Sequence, residues 1–152
     1  MIRLILPVTI CLGGAVAAEQ STCNAAPYSQ DNCVRVLACV GFHGVYFDGQ
    51  ARGWDEGPVS GQMSTGVTCS GTWTADGPFG AGMSRLQCDN GIDIGVIYHT
   101  QDNETSTVIG NGSDTAGQPI EVWSGENVLE FLTPEGEVSA RLPCPDGAIP
   151  MS

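Results

Sequence analysis

The chain contains no lysine, and its five arginines face seventeen Asp and Glu residues, for a formal net charge of −12. Such a polyanion repels phosphate backbones and anionic headgroups, so nucleic acid and unassisted membrane-surface binding are disfavoured. Histidine is scarce, with only His43 and His99. A Ser/His/Asp triad would have to use one of them, and no Gly-x-Ser-x-Gly elbow occurs; the nearest stretch, Gly82-Met83-Ser84-Arg85-Leu86, lacks the second glycine. The absence of any Cys-x-x-Cys pair argues against a zinc ribbon or a thioredoxin-like redox motif. Beyond the first residues, no apolar run approaches the roughly 20 residues that a membrane-spanning helix needs.

What is present begins with Arg3, an apolar run over residues 4–12, and small residues up to Ala17 and Ala18. That order reads as a secretory signal peptide over residues 1–18, with cleavage after Ala17 or after Ala18. Cys11 belongs to this leader, because Ile10 before it is unsuited to a lipoprotein anchor. The seven cysteines then fall to six: Cys23, Cys33, Cys39, Cys69, Cys88 and Cys144. An even number in an exported chain implies up to three disulfides, and a secreted or periplasmic location. Residues 19–33 form a cysteine-containing N-terminal segment and residues 34–152 a single β-rich domain with a C-terminal tail.

The fold class expected is all-β: an antiparallel meander of short hairpins, stapled by disulfides, with one short helix near the C-terminus. The clearest hairpin spans residues 67–88. Its register sets Cys69 opposite Cys88, Gly71 opposite Leu86 and Trp73 opposite Ser84, which predicts a Cys69–Cys88 disulfide. Three pairings of Cys23, Cys33, Cys39 and Cys144 remain open. A three-residue turn at Asp89-Asn90-Gly91 then puts Ile92, Ile94, Val96 and Tyr98 on the face of Leu86 and Cys88. Upstream, Phe47-Asp48-Gly49-Gln50 reads as an Asp-Gly hairpin that would set His43 across from Trp54. Further strands are expected near residues 107–110, 120–123 and 138–142. A helix capped by Ser124 is expected over residues 126–132, stopped by Pro134 and Gly136.

The segment Cys69-Ser70-Gly71-Thr72-Trp73, followed by Gly80-Ala81-Gly82, resembles one unit of the MORN repeat, whose units read Tyr-x-Gly-x-Trp and then Gly-x-Gly. Cys69 stands where that family has Tyr. The resemblance implies β-hairpin architecture and a scaffold that binds proteins or lipids; without lysine, lipid binding is not carried over.

Three function classes follow. The first is a non-enzymatic binding or structural module, needing no cofactor, for an envelope or secreted protein. The second is a glycan-binding module in which Trp54 and Tyr46, with Asp55, Glu56 and Trp123, present stacking rings and polar groups. The third is a small metal-dependent hydrolase in which His43, His99 and Asp48 supply an imidazole and carboxylate ligand set. Two acidic fragments, Asp102-Asn103-Glu104 and Gly110-Asn111-Gly112-Ser113-Asp114, lack the spacing of a calcium loop and read as turns.

Overall fold

The computed structural model describes residues 23–152, so the signal peptide, its cleavage positions and Cys11 lie outside the described residues. Eight antiparallel strands follow one another around a closed barrel: β1 (Cys33–Val40), β2 (Val45–Arg52), β3 (Glu56–Met63), β4 (Thr68–Thr74), β5 (Met83–Cys88), β6 (Asp93–Asp102), β7 (Thr107–Asp114) and β8 (Pro119–Gly125). β1 closes it by pairing with β2 along one edge and β8 along the other. After β8 come a single-turn helix, α1 (Val128–Phe131), and a hairpin of β9 (Ala140–Cys144) and β10 (Gly147–Met151).

Alternation along the strands sorts side chains to the two sides of the wall. Val36, Ala38, Val40, Phe47, Val59, Met63, Leu86, Ile94, Val96, Ile120 and Val122 point inward and form one buried core. Over β3 to β5 the outward positions carry Glu56, Ser60, Gln62, Ser70, Thr72, Arg85 and Gln87. Apolar inside and polar outside is the reverse of a barrel wall that faces lipid. The outer wall of β1 and β8 is different: Leu37, Cys39 and Trp123 are buried there beneath Val128, Leu132, Leu142 and Met151 from α1 and the terminal hairpin. These are two cores separated by one strand thickness.

Three disulfides join Cys23 to Cys33, Cys39 to Cys144 and Cys69 to Cys88. The last lies at the register read from the hairpin, with Gly71 facing Leu86 and Trp73 facing Ser84. Bridges of this number point to an oxidising compartment outside the cytoplasm.

Three local expectations are corrected. Asp48-Gly49 is not a turn but the middle of β2, and the chain reverses instead at residues 41–44 and 53–55. Glycine serves there to admit an aromatic ring. A Cβ on Gly49 would sit 2.7 Å from the Phe47 ring, and one on Gly61, its partner on β3, 2.5 Å from the same ring. Ser124 caps no helix; it belongs to β8, and Asn127 precedes α1 without a side-chain cap. Likewise, residues 110–114 continue β7, with Asp114 accepting the Ala116 and Gln118 amides in the turn beyond. Gly91, with φ +83°, takes the left-handed position of the 89–91 turn.

The Cys39–Cys144 bridge spans 105 residues, for which loop-closure entropy gives roughly 5 kcal/mol, against about 3 for the two shorter loops. Cys39→Ser/Cys144→Ser is therefore expected to lower thermal stability more than loss of either other bridge, and to shift tryptophan emission to the red as the terminal hairpin loosens over Trp123. Unchanged emission and melting temperature would show that hairpin packing alone holds the second core.

Candidate binding site

The two ends of the barrel differ. One end, where the turns 41–44, 64–67, 89–91 and 115–118 lie, is filled by Val40, Val45, Met63, Val67, Ile92 and the Cys69–Cys88 bridge. Toward the other end the filling stops. A cavity of about 500 Å³ opens there among Val34, Ala51, Trp73, Tyr98, Val108 and Ser124, with Trp54, His99 and Glu126 at its edge. Below Tyr98 only about 20 Å³ remains. Tyr98 borders both spaces and so divides packed core from open cavity.

Sequence accounts for the difference. Inward positions near the open end are small or polar: Ala51, Ser84, Gly110 and Ser124 stand where the closed end has Phe47, Met63 and Ile120. Two rings bound the space that remains. The Trp73 indole donates from Nε1 to the Arg52 carbonyl at 2.8 Å, which fixes the ring across the β3–β4 side. The Tyr98 hydroxyl donates to Ser84 Oγ at 3.3 Å. Burial raises the Tyr98 phenol above its ordinary value of about 10, with the Ser84 bond pulling weakly the other way. Immediately beyond Tyr98 the β6–β7 register slips at His99. Such a bulge turns a side chain out of the alternation, and His99 is exposed with its ring nitrogens against Thr100 and Asn111.

An N-terminal strap, residues 23–32, borders the cavity through Ala25 and Pro27. The Cys23–Cys33 bridge anchors it to the start of β1. Asn32 holds it from inside, accepting from the Ala26 amide at 2.9 Å and donating to the Gly53 carbonyl at 3.1 Å. Tyr28 from the strap lies against Trp54, with ring centroids 4.7 Å apart and planes at 41°.

The residues singled out from sequence are dispersed. His43 lies in the exposed turn between β1 and β2 at the filled end, whereas His99 lies at the open end. A shared metal centre is thereby corrected, since a barrel length separates the imidazoles. Asp48 is paired with Arg35 on the outer wall, at 2.6 and 2.9 Å, and this hydrogen bond raises the Arg35 pKa further. Among the described residues no three His, Cys, Asp or Glu side chains gather as a metal site would require. The stacking face is corrected too. Trp54 is at the rim, Tyr46 is half-buried on the outer wall against the second core, and Trp123 is buried within that core. Asp55, with φ +66°, and Glu56 are exposed in and beside the β2–β3 turn. Trp73 and Tyr98 fall on the core face by their register, Ser124 reads as a helix cap and Val108 carries no signal of its own, so sequence reasoning does not bring these residues of four different strands together as a site.

No protein family and no characterised protein matches the chain. Among solved structures it is similar to a de novo designed fluorescence-activating β-barrel, with 14% identity and a TM-score of 0.49 over 62% of this chain and 91% of that one. A redesigned β-barrel bound to DFHBI gives 16% identity and a TM-score of 0.48 over 63% and 97%.

A groove of about 620 Å³ also runs along the outside of β3 to β5, past Glu56, Thr72, Met83 and Arg85. It is a furrow in the wall, open along its length. The end cavity is bordered by the ends of β1, β2, β4, β6, β7 and β8 and by the strap, and its lining is mostly apolar, which is the usual form of a small-molecule site.

A raised folded-state pKa at Tyr98 means that the neutral phenol is favoured by folding. Its contribution is complete below the unfolded value, about pH 10, and is lost as pH rises through the folded value. In an absorbance titration near 295 nm, one of the three tyrosines should ionise later than an unfolded control, with stability falling over the same interval. Tyr98→Phe should abolish the late step; its persistence would contradict the assignment.

Proposed function

We propose that the protein is an exported, non-enzymatic binding module, secreted or periplasmic, that holds a small apolar or amphipathic molecule in the open end of its barrel. The observation that carries this reading is the division of the interior by Tyr98 into a filled half and an apolar cavity of about 500 Å³. Eight strands enclose a space that side chains can just fill or that can hold one small ligand. Here the inward residues at one end are too small to fill it. Leaving such a cavity forgoes packing that larger residues would supply, at a cost of about 1 kcal/mol or more for each methyl-sized gap. The three disulfides support export, since they persist in oxidising compartments.

A second reading has one specific observation in its favour. The Tyr28 and Trp54 rings meet at the rim, where an edge of a sugar could stack, so the glycan hypothesis survives with Trp54 alone of its original aromatics.

A titration with an environment-sensitive apolar dye distinguishes the two. The disulfide-intact protein is expected to bind the dye at one site with enhanced emission, and Val108→Trp, which fills the cavity, should weaken binding at least roughly tenfold while the melting temperature is kept. Dye binding unaffected by Val108→Trp would refute the cavity as the site. Binding of an oligosaccharide that Trp54→Ala removes and Val108→Trp spares would favour the glycan reading instead.

A further inference from the structure

The chemistry at the cavity's edge is one-sided. No arginine lines it, and Glu126, just past the end of β8, is the carboxylate that does. Glu126 is exposed and makes no hydrogen bond or ion pair with the described residues. Two positions earlier on the chain, Ser124 points inward from β8, opposite Val108 on β7. It is 8% exposed, and its hydroxyl has no side-chain or backbone partner among the described residues. That hydroxyl opens onto the cavity, where a bound donor can take the place of water. The loops around this end add Asp31, Asp55, Asp76, Asp102 and Glu104, with Arg52 as the opposing charge.

We propose, resting on the open end being a binding site, that its ligand is a small amphipathic amine: an apolar or aromatic body seated between Trp73 and Tyr98, and a protonated amino group held at Glu126 and Ser124. The apolar depth would take the body. The ammonium would donate to the Glu126 carboxylate and the Ser124 hydroxyl, both of which accept. An anionic ligand would meet Glu126 and the acidic loops, with no arginine in the cavity lining to receive it. A carboxylate at the lip of a low-dielectric wall also acts on a cation before contact, so the same arrangement would speed capture at low ionic strength.

The test uses three forms of one naphthalene dye, with tails that end in an ammonium, a neutral alkyl group or a carboxylate, titrated into the disulfide-intact protein. The ammonium form is expected to bind on the order of fivefold more tightly than the neutral form, and the carboxylate form more weakly than either. Glu126→Gln should erase the preference for ammonium, bringing the ammonium and neutral forms to the same affinity, and leave the melting temperature unchanged. Ser124→Ala should weaken the ammonium form relative to the neutral form. Equal binding of all three forms would overturn the amine assignment while leaving the binding module intact. A preference that survives Glu126→Gln would also overturn it, by assigning the effect to the net charge of the whole chain. If none of the three forms bound, the binding module itself would fall, and this inference with it.

Discussion

Closure of the barrel through β1 is the constraint on which everything else depends. Cys33 to Val40 pair with β2 on one side and, from Arg35 onward, with β8 on the other. A strand bonded along both edges leaves no open edge to pair with another chain. It also fixes which residues are inside: Val36, Ala38 and Val40 go to the barrel interior, and Leu37 and Cys39 to the outer wall. Because both sets are apolar, β1 needs cover on both faces. The terminal hairpin supplies the outer cover, and the Cys39–Cys144 bridge ties it to the strand it protects. Arg35 adds a polar clasp at the same seam, reaching Asp48 on β2 and the Ser152 carbonyl at the chain end.

With the wall closed, function becomes a question of how the interior is filled. Bulky residues and a disulfide occupy one end, so that end acts as a rigid base. Small inward residues at the other end leave space bordered by the Trp73 and Tyr98 rings. Tyr98 has a double part, because its ring seals the core while its edge of the cavity remains open to a ligand. The strap across the rim, held by Cys23–Cys33 and Asn32, narrows the entrance without closing it. Rigid walls with a preset opening keep the entropic cost of binding low.

Much of the fold was legible wherever a local rule governs it. Cys69 and Cys88 flank one hairpin, so period-two alternation and a single turn determine their register. The turn at Gly91 was legible because a three-residue loop demands a left-handed residue. Asp48-Gly49 misled for an instructive reason: glycine next to Asp is a turn signal only when nothing else needs the missing side chain, and here the Phe47 ring does. Ser124 misled similarly, having the chemistry of a cap but the position of an inward strand residue. The β1–β8 pairing brings together residues eighty to ninety positions apart, and no periodicity announces it. The cavity was illegible for the same cause, since its lining comes in short pieces from the ends of many strands and from the strap. His43 and His99 looked like partners only because imidazoles are rare in this chain.

The most direct test of a ligand site at the open end is residue-resolved. In amide nitrogen–proton NMR spectra of the labelled, disulfide-intact protein titrated with the ammonium dye, a site at this end requires the largest shifts at Tyr98, Thr100, Val108 and Ser124. Gly44, Gly66, Gly91 and Gly117, at the filled end, should stay in place. Shifts concentrated at those glycines, or along the terminal hairpin, would contradict it and move the search for a ligand to another surface.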